Sequence, residues 1–132
     1  MTTWTWEPAT GTDVPAIKDI AESWFQTEID GIWVADPIAY MRNITQAVVS
    51  QYYSPGSELI LVARDNATAA IVAYLWVKRN NRSPWSDEEQ AQVQMVHVSM
   101  DLTARQRIGL IKDMIMLWEL WCIEHDIRIV CS

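Results

Sequence analysis

The chain has 132 residues, half of them apolar, and carries a formal net charge of −7. This length and composition predict one domain spanning residues 1–132 with a substantial apolar core. The negative charge argues against a nucleic-acid binder, whose surface would be basic, and the lack of any run of about 18 apolar residues indicates no transmembrane helix and no membrane partner.

The N-terminal part of the sequence predicts one strand followed by two helices. Polar and apolar residues alternate over residues 3–7, which is typical of a strand. Asp13 with Pro15, and Asp36 with Pro37, are typical of helix starts, so we predict helices at about 14–25 and about 37–53. The loop between these helices carries four large apolar residues, and we expect it to pack against the domain or a partner; they are Ile29, Ile32, Trp33 and Val34.

The remainder of the sequence predicts four strands and a third helix. Strands rich in Leu, Ile and Val are expected at 58–64 and 69–78, joined by a hairpin turn at 65–68. A polar loop at 79–90 then leads to a strand at 91–100, a long apolar helix from about Gln106 to His125, and a last strand at 127–131. The order β-α-α-β-β-β-α-β predicts an α/β (α+β) fold, in which helices cover both faces of a mixed sheet.

The two cysteines indicate free thiols and not a metal site. Cys122 falls in the long helix and Cys131 in the last strand, and neither takes part in a CxxC or Cys/His spacing. We expect no metal, and we expect both thiols to be buried in a reducing compartment. The N-terminus lacks the basic and apolar segments of a secretory signal, so we expect a cytoplasmic protein.

A candidate anion site lies where the strand at 91–100 turns into the long helix. The first N–H groups of a helix have no intrahelical partner, and the helix dipole adds positive potential there. Gly109 would let a phosphate approach the backbone, and the guanidinium groups of Arg105 and Arg107 are suited to phosphate oxygens. The alternative is an ordinary turn that caps a buried helix and whose arginines only face solvent.

The residues of this turn resemble the pyrophosphate-binding motif of the GNAT acetyltransferases, Gln/Arg-x-x-Gly-x-Gly/Ala. Gln106, Arg107, Ile108 and Gly109 match its first four positions, whereas Ile111 stands where the family has Gly or Ala. The order of elements also resembles the GNAT core through its fifth strand, over nearly the whole chain. The resemblance implies a GNAT-like fold that binds acetyl-CoA; the residues implied in binding are Val98, Ser99, Arg105, Gln106, Arg107 and Gly109.

The resemblance also implies where catalysis would occur. In GNAT enzymes the fourth and fifth strands separate, a backbone N–H near a bulge polarises the thioester, and a base deprotonates the amine. The bulge is expected within 96–99, and the candidate bases are His97 on the fourth strand and Glu89 in the loop before it. The alternatives are a hydrogen-bonded strand histidine and a solvated loop carboxylate.

Two parts of the GNAT pattern have no counterpart before the last residue, Ser132. One is the tyrosine that often protonates the leaving thiolate, and the other is the pair of strands that follows the fifth. The chain is therefore either a minimal GNAT protein or shorter than its native form.

Two functions remain open. The first is an N-acetyltransferase that moves an acetyl group from acetyl-CoA to a primary amine of a small molecule or protein. The second is a non-catalytic GNAT scaffold that binds a protein partner or a second copy, because the long helix is apolar nearly all round unless the sheet and the second helix cover it. The chain also resembles small GNAT-like proteins of short-tailed phages, which implies the host cytoplasm or the virion.

Overall fold

A computed structural model describes residues 3–28, 37–82 and 87–131. These residues form five strands and three α-helices. The strands are β1 (Trp4–Pro8), β2 (Glu58–Asp65), β3 (Ile71–Arg82), β4 (Glu89–Val98) and β5 (Ile129–Cys131), and the helices are α1 (Val14–Glu28), α2 (Pro37–Tyr53) and α3 (Ala104–Glu124). The predicted order of elements and the α/β (α+β) fold class are confirmed. The apolar loop residues at 29–34 lie outside the described residues.

The strands form one sheet in sequence order, β1-β2-β3-β4-β5. The first four strands are antiparallel to one another, so short turns can join β2 to β3 and β3 to β4. β5 is parallel to β4, because α3 carries the chain back to the end of the sheet from which β4 started.

The predicted polar loop at 79–90 is wrong at both ends. β3 continues to Arg82 and β4 already begins at Glu89, with Arg82 opposite Glu89 and Asn81 opposite Gln90. The polar composition of these residues suggested a loop, but the backbone groups that pair two strands do not depend on side-chain polarity.

Helices cover both faces of the sheet, and each face has its own core. On one face α1 and α2 bury Ile17 and Ile44 against Ile60 and Tyr74 of the sheet. On the other face α3 packs against a second set, made of Ala63, Ala73, Leu75, Val77, Ala91, Val93, Val98, Leu110, Met114, Trp121, Cys122 and Ile127. Cys122 is a buried free thiol in α3, as predicted, and burial raises its pKa.

The outer surface of α3 carries exposed apolar side chains among charged ones. Its exposed residues include Met116 and Leu120, and Ile123 is 74% exposed. The alternative that the sheet and α2 cover α3 fully is therefore wrong, because α2 lies on the opposite face of the sheet. Among the described residues no helix is long and apolar enough to cross a membrane.

The N-terminal strand is held to α3 by one carboxylate. The indole Nε1 atoms of Trp4 and Trp6 donate to the same oxygen of Asp113, at 2.8 Å and 3.1 Å. Gly109 lies one turn before Asp113 in α3, and a Cβ there would be 3.4 Å from the Trp4 ring. The small residue and the shared acceptor together let Trp4 lie against the helix backbone.

We expect Asp113→Leu to lower the free energy of unfolding by about 2 kcal/mol, because two part-buried indole N–H groups lose their acceptor. Asp113→Asn is the matched control, since its amide oxygen can still accept both bonds and the loss should be less than about 1 kcal/mol. Urea unfolding curves measure both values. Equal losses in the two variants would show that the indole hydrogen bonds are not what Asp113 contributes.

Asp13, just before α1, is buried and forms an ion pair. One of its oxygens accepts from Arg64 Nη2 at 2.9 Å, and the other accepts from the Thr10 backbone N–H at 2.9 Å. Arg64 also binds Glu7 of β1, with Nε 2.7 Å from the Glu7 carboxylate, so the arginine joins β1, β2 and the start of α1. Burial opposes ionisation of Asp13, but these hydrogen bonds outweigh it and lower its pKa below the ordinary 3.8.

The lowered pKa predicts how stability depends on pH. The unfolded chain binds a proton at Asp13 more readily than the folded one, so its contribution is fully present above the ordinary value of 3.8 and is lost as the pH falls through the lower folded value. We expect the difference in unfolding free energy between the wild type and Asp13→Asn to be largest above about pH 5 and to shrink below about pH 4. A difference that stays constant across this range, in urea unfolding at each pH, would contradict the assignment.

Candidate functional site

A cleft of about 420 Å³ opens between the C-terminal end of β4, α1 and the first turns of α3. We call it the β4 cleft. Its walls are mainly apolar, and they are formed by Trp24, Val96, His97, Val98, Ala104, Arg107, Ile108, Ile111 and Met114. A concave apolar surface with a few polar groups is typical of small-molecule sites.

The cleft exists because β5 pairs with only the first part of β4. β5 lies opposite residues 90–92 of β4, and the rest of this edge has no strand partner among the described residues. On the edge that faces β3, Ser99 N–H donates to the Val72 carbonyl at 2.7 Å. The backbone groups of Ser99 therefore point towards β3. Since backbone groups alternate between the two edges, those of Val96 and Val98 face the cleft.

A bulge in β4 decides which side chains reach this end of the sheet. Trp76 pairs with Met95 and Val77 pairs with Val93, so Gln94 is the extra residue. The bulge was predicted within 96–99, and that position is wrong by two residues. Because one extra residue reverses the alternation of side chains, Val96 and Val98 join Val93 on the α3 face of the sheet, and His97 lies on the other face.

His97 lies at the cleft in a network of aromatic side chains. Its Nδ1 is 2.6 Å from the hydroxyl of Tyr74 in β3, which is 2.9 Å from the hydroxyl of Tyr40 in α2. The Trp24 ring stacks on the imidazole, with ring centroids 6.1 Å apart and an angle of 14° between the planes. The histidine is therefore held in one orientation at the open end of β4.

Trp24 also binds the backbone of the open edge. Its Nε1 donates to the Val98 carbonyl at 2.6 Å, so the indole lies across the edge of β4 where a further strand residue would pair. Neither Trp24 nor the two tyrosines was predicted as part of the site. Trp24 belongs to the apolar stripe of α1, and Tyr74 lies within a run of apolar strand residues, so the local pattern indicated only a core role for both.

The start of α3 lies beside the same cleft. Thr103 is the N-cap: its hydroxyl accepts from Gln106 N–H at 3.2 Å, and Gln106 Oε1 accepts from Thr103 N–H at 3.0 Å. The spacing Thr103-x-x-Gln106 is a capping-box sequence, so it could have indicated that the helix starts at Ala104 and not at Gln106. Two predicted binding residues thus have defined positions: Gln106 in this cap, and Ser99 hydrogen-bonded to Val72 just before the turn.

The three other predicted anion-binding residues differ in their surroundings. Arg107 lines the cleft, and its Nε atom is buried with no hydrogen-bond partner among the described residues. Arg105 is exposed in the first turn of α3. Gly109 does not lie at the helix start: it is the sixth residue of α3 and faces Trp4, so its small size already serves packing.

Glu89 lies at the far end of β4 from His97. It is the first residue of the strand, not a loop residue, and eight residues of extended chain separate it from His97, about 25 Å. Both its carboxylate oxygens accept from Arg79, at 2.9 Å and 2.7 Å, and this pairing raises the pKa of Arg79. The structure therefore does not bring the two predicted catalytic residues together.

The described residues contain no group of three or more His, Cys, Asp or Glu side chains that could hold a metal ion. The polar groups of the β4 cleft are instead backbone amides, a guanidinium group, an imidazole and an indole.

Solved acetyltransferase structures share this fold. A possible acetyltransferase from Clostridium difficile 630 aligns with a TM-score of 0.73 at 12% identity, covering 98% of this chain and 78% of that chain. The aminoglycoside 6'-N-acetyltransferase AAC(6')-Ih from Acinetobacter baumannii gives 0.70 at 12% identity, covering 96% and 76%. The PaiA N-acetyltransferase from Thermoplasma acidophilum in complex with coenzyme A gives 0.69 at 14% identity, with the same coverage.

These similarities show the fold alone, because the identities are low. The expected GNAT-like fold is thereby confirmed. A scan of protein-family models finds no match to the sequence, and a search of curated proteins finds none either. The three compared structures come from two bacteria and from Thermoplasma acidophilum, and they do not support the resemblance to phage proteins.

Proposed function

We propose that this protein is an N-acetyltransferase that transfers an acetyl group from acetyl-CoA to a primary amine. The observation that carries the proposal is the edge of β4 beside the start of α3, which lies within one apolar cleft and has no strand partner among the described residues beyond 90–92. Two of the solved structures that share the fold also support it, one being a 6'-N-acetyltransferase and another a complex with coenzyme A.

The start of α3 would hold the pyrophosphate of acetyl-CoA. The N–H groups of Ala104 and Arg105 are the first of the helix, and the helix dipole makes this end positive. The guanidinium group of Arg107, which lines the cleft, would be a second donor there, and Arg105 adds an exposed guanidinium group. Gln106 keeps the helix start in place through the cap. Gly109, which packs against Trp4, would not bind the pyrophosphate.

The open edge of β4 would hold the pantetheine arm. Val96 and Val98 present backbone groups to the cleft, and Ile108 and Ile111 of α3 form its apolar wall. Acetyl-CoA supplies the activated acetyl group as a thioester. A backbone N–H at this edge would donate to its carbonyl oxygen, which would favour attack on the carbonyl carbon.

His97 would take the proton that an amine must lose before it reacts. A primary amine is protonated near neutral pH, so one proton passes from the ammonium group to His97 and then to solvent. The amine nitrogen then bonds to the acetyl carbon as the carbon–sulfur bond breaks, and the second nitrogen proton leaves with the CoA sulfur as its thiol. The overall reaction releases one proton and needs no metal or oxidant.

The exposed apolar surface of α3 favours a second candidate, a non-catalytic scaffold that binds another protein. Met116, Leu120 and Ile123 would be its contacts. Acetyl-CoA binding distinguishes the two candidates, because a scaffold has no need of the nucleotide.

We expect acetyl-CoA to bind with micromolar affinity, about −8 kcal/mol, in calorimetric titrations of the purified protein. Ala104→Glu should raise the dissociation constant at least tenfold, because its carboxylate would repel the pyrophosphate at the start of α3. A negative charge near the start of a helix interacts favourably with the helix dipole. Ala104→Glu should therefore not destabilise α3, and weaker binding could not be attributed to unfolding.

Gln46→Glu is the matched control for this titration. It adds the same charge at an exposed position of α2, on the opposite face of the sheet, and should leave the dissociation constant unchanged. If a folded wild-type sample shows no heat of binding, the acetyltransferase proposal is wrong and the scaffold remains.

We expect Trp24→Phe to tighten acetyl-CoA binding about fivefold. The pantetheine arm and the Trp24 indole compete for the Val98 carbonyl, and loss of one such hydrogen bond removes about 1 kcal/mol of that competition. Trp118→Phe, in a part-buried residue of α3, is the control and should change little. The same titration measures both, and equal or weaker binding by Trp24→Phe would place the arm elsewhere.

A further inference from the structure

A second cavity lies on the opposite edge of the sheet from the β4 cleft. It has a volume of about 790 Å³ and opens beside β2, where β1 ends at Pro8 and leaves the start of β2 with no strand partner on this edge among the described residues. We call it the β2 groove. Leu59 and Leu61 of β2 line it, together with residues from the last turns of α2 and α3. Small-molecule sites have volumes of about 300–1,000 Å³, so the groove has room for a small ligand.

We propose that the β2 groove binds a small organic cation, in which an ammonium group is attached to an aromatic or alkyl body. The apolar body would lie against the leucines of β2, and the ammonium group would lie beside the aromatic rings and Glu124. This site is separate from the β4 cleft, and the inference does not depend on the acetyltransferase function proposed above.

The backbone of β2 beside the groove is already paired, which argues against an added strand. Ile60 N–H donates to Gln51 Oε1 at 2.8 Å, and the Ile60 carbonyl accepts from Gln51 Nε2 and from Ala9 N–H, each at 3.0 Å. An extended peptide that added to this edge would need the same backbone groups. The occupant of the groove must therefore be recognised by side chains and by the ends of the two helices.

Two pairs of aromatic rings line the groove. Tyr52 and Tyr53 of α2 are each 78% exposed and meet edge to face, with ring centroids 5.0 Å apart. Trp121 of α3 is only 6% exposed and meets His125 edge to face, with ring centroids 5.3 Å apart. The faces of Tyr and Trp rings attract a cation that lies within about 6 Å, and the attraction is stronger where water is excluded. The aromatic lining therefore suits an organic cation better than a strongly hydrated inorganic one.

The charges around the groove also favour a cation. Glu124 is the only acidic residue among the described residues that line the groove, and none of those residues is Lys or Arg. The last turns of α2 and α3 both lie here, and neither contains a basic residue that would offset the negative end of its helix dipole. Arg79 binds the Gly56 carbonyl close to His125, but its charge is already paired with both oxygens of Glu89.

The first test is a titration of the full chain with benzyltrimethylammonium, which has a charged head and an aromatic body but no N–H that could be acetylated. We expect saturable binding with a dissociation constant of about 1 mM or below in ¹H–¹⁵N NMR spectra. The indole resonance of Trp121 and the amide resonance of Tyr52 should shift, whereas the indole resonance of Trp24 in the β4 cleft should not. Lack of saturable binding, or shifts centred on Trp24, would overturn the proposal.

A second probe tests the charge of the ligand. Benzyl alcohol has the same ring but no charge, and we expect it to bind at least fivefold more weakly than benzyltrimethylammonium. Equal affinity for the two probes would show that the groove takes neutral aromatic molecules, and the assignment to a cation would be wrong.

Substitutions in exposed residues test which groups recognise the cation. Glu124→Gln removes the carboxylate and Tyr52→Leu removes a ring, and each should raise the dissociation constant of benzyltrimethylammonium about threefold. The matched controls should bind as the wild type does: Glu119→Gln removes the same charge from an exposed position of α3 outside the groove, and Tyr52→Phe keeps the ring.

The controls decide between recognition in the groove and general attraction to an acidic protein. If Glu119→Gln weakens binding as much as Glu124→Gln, or if Tyr52→Leu binds as tightly as Tyr52→Phe, the proposed site is wrong. Acetyl-CoA is absent from these titrations, so either result leaves the acetyltransferase proposal to its own test.

Discussion

The constraint on which the cleft depends is that β4 pairs with β3 from its first to its last residue, apart from two register shifts, but pairs over only three residues on its other edge. β3 holds one edge from Glu89 to Val98, whereas β5 lies opposite only residues 90–92. Unpaired backbone at the edge of a sheet needs a partner, and a ligand with amide groups can supply one as well as a strand can. α3 begins beside the C-terminal end of β4 and carries the chain back to the other end of this edge, where β5 pairs with residues 90–92. The N-terminus of α3 therefore lies beside the part of the edge that β5 leaves open.

β1 also pairs with only part of β2, from Leu61 to Asp65, and the rest of that edge is closed differently from the edge of β4. Where β1 ends, Gln51 of α2 donates to the Ile60 carbonyl at 3.0 Å and accepts from the Ile60 N–H at 2.8 Å, so one side chain satisfies both backbone groups. At Val98 the Trp24 indole can only donate, and it binds the carbonyl alone. The first edge is closed by a bidentate side chain, while the second is covered by a single contact that a ligand can replace.

The sequence predicted the fold better than the site for a physical reason. Helical and strand periodicities are local, so residues 14–25 and 37–53 indicated helices that the structure places at Val14–Glu28 and Pro37–Tyr53. The bulge at Gln94 depends on register with β3, and the contact of Gly109 with Trp4 joins residues 105 positions apart. Neither leaves a pattern in its own segment. His97 was selected for its chemistry, whereas its partners Tyr74 and Trp24 could not be told from core residues without the tertiary structure.

The bulge and the ion pair of Glu89 give the two ends of β4 different properties. At its start, Arg79 binds both oxygens of Glu89, and β5 closes the other edge, so the charged groups there are already paired. Beyond Gln94 the side chains of the strand change sides of the sheet, and His97 is hydrogen-bonded to Tyr74, which is hydrogen-bonded to Tyr40. The acidic residue of the strand therefore lies at the end that β5 closes, whereas the histidine lies at the open end, where the β4 cleft and the start of α3 meet.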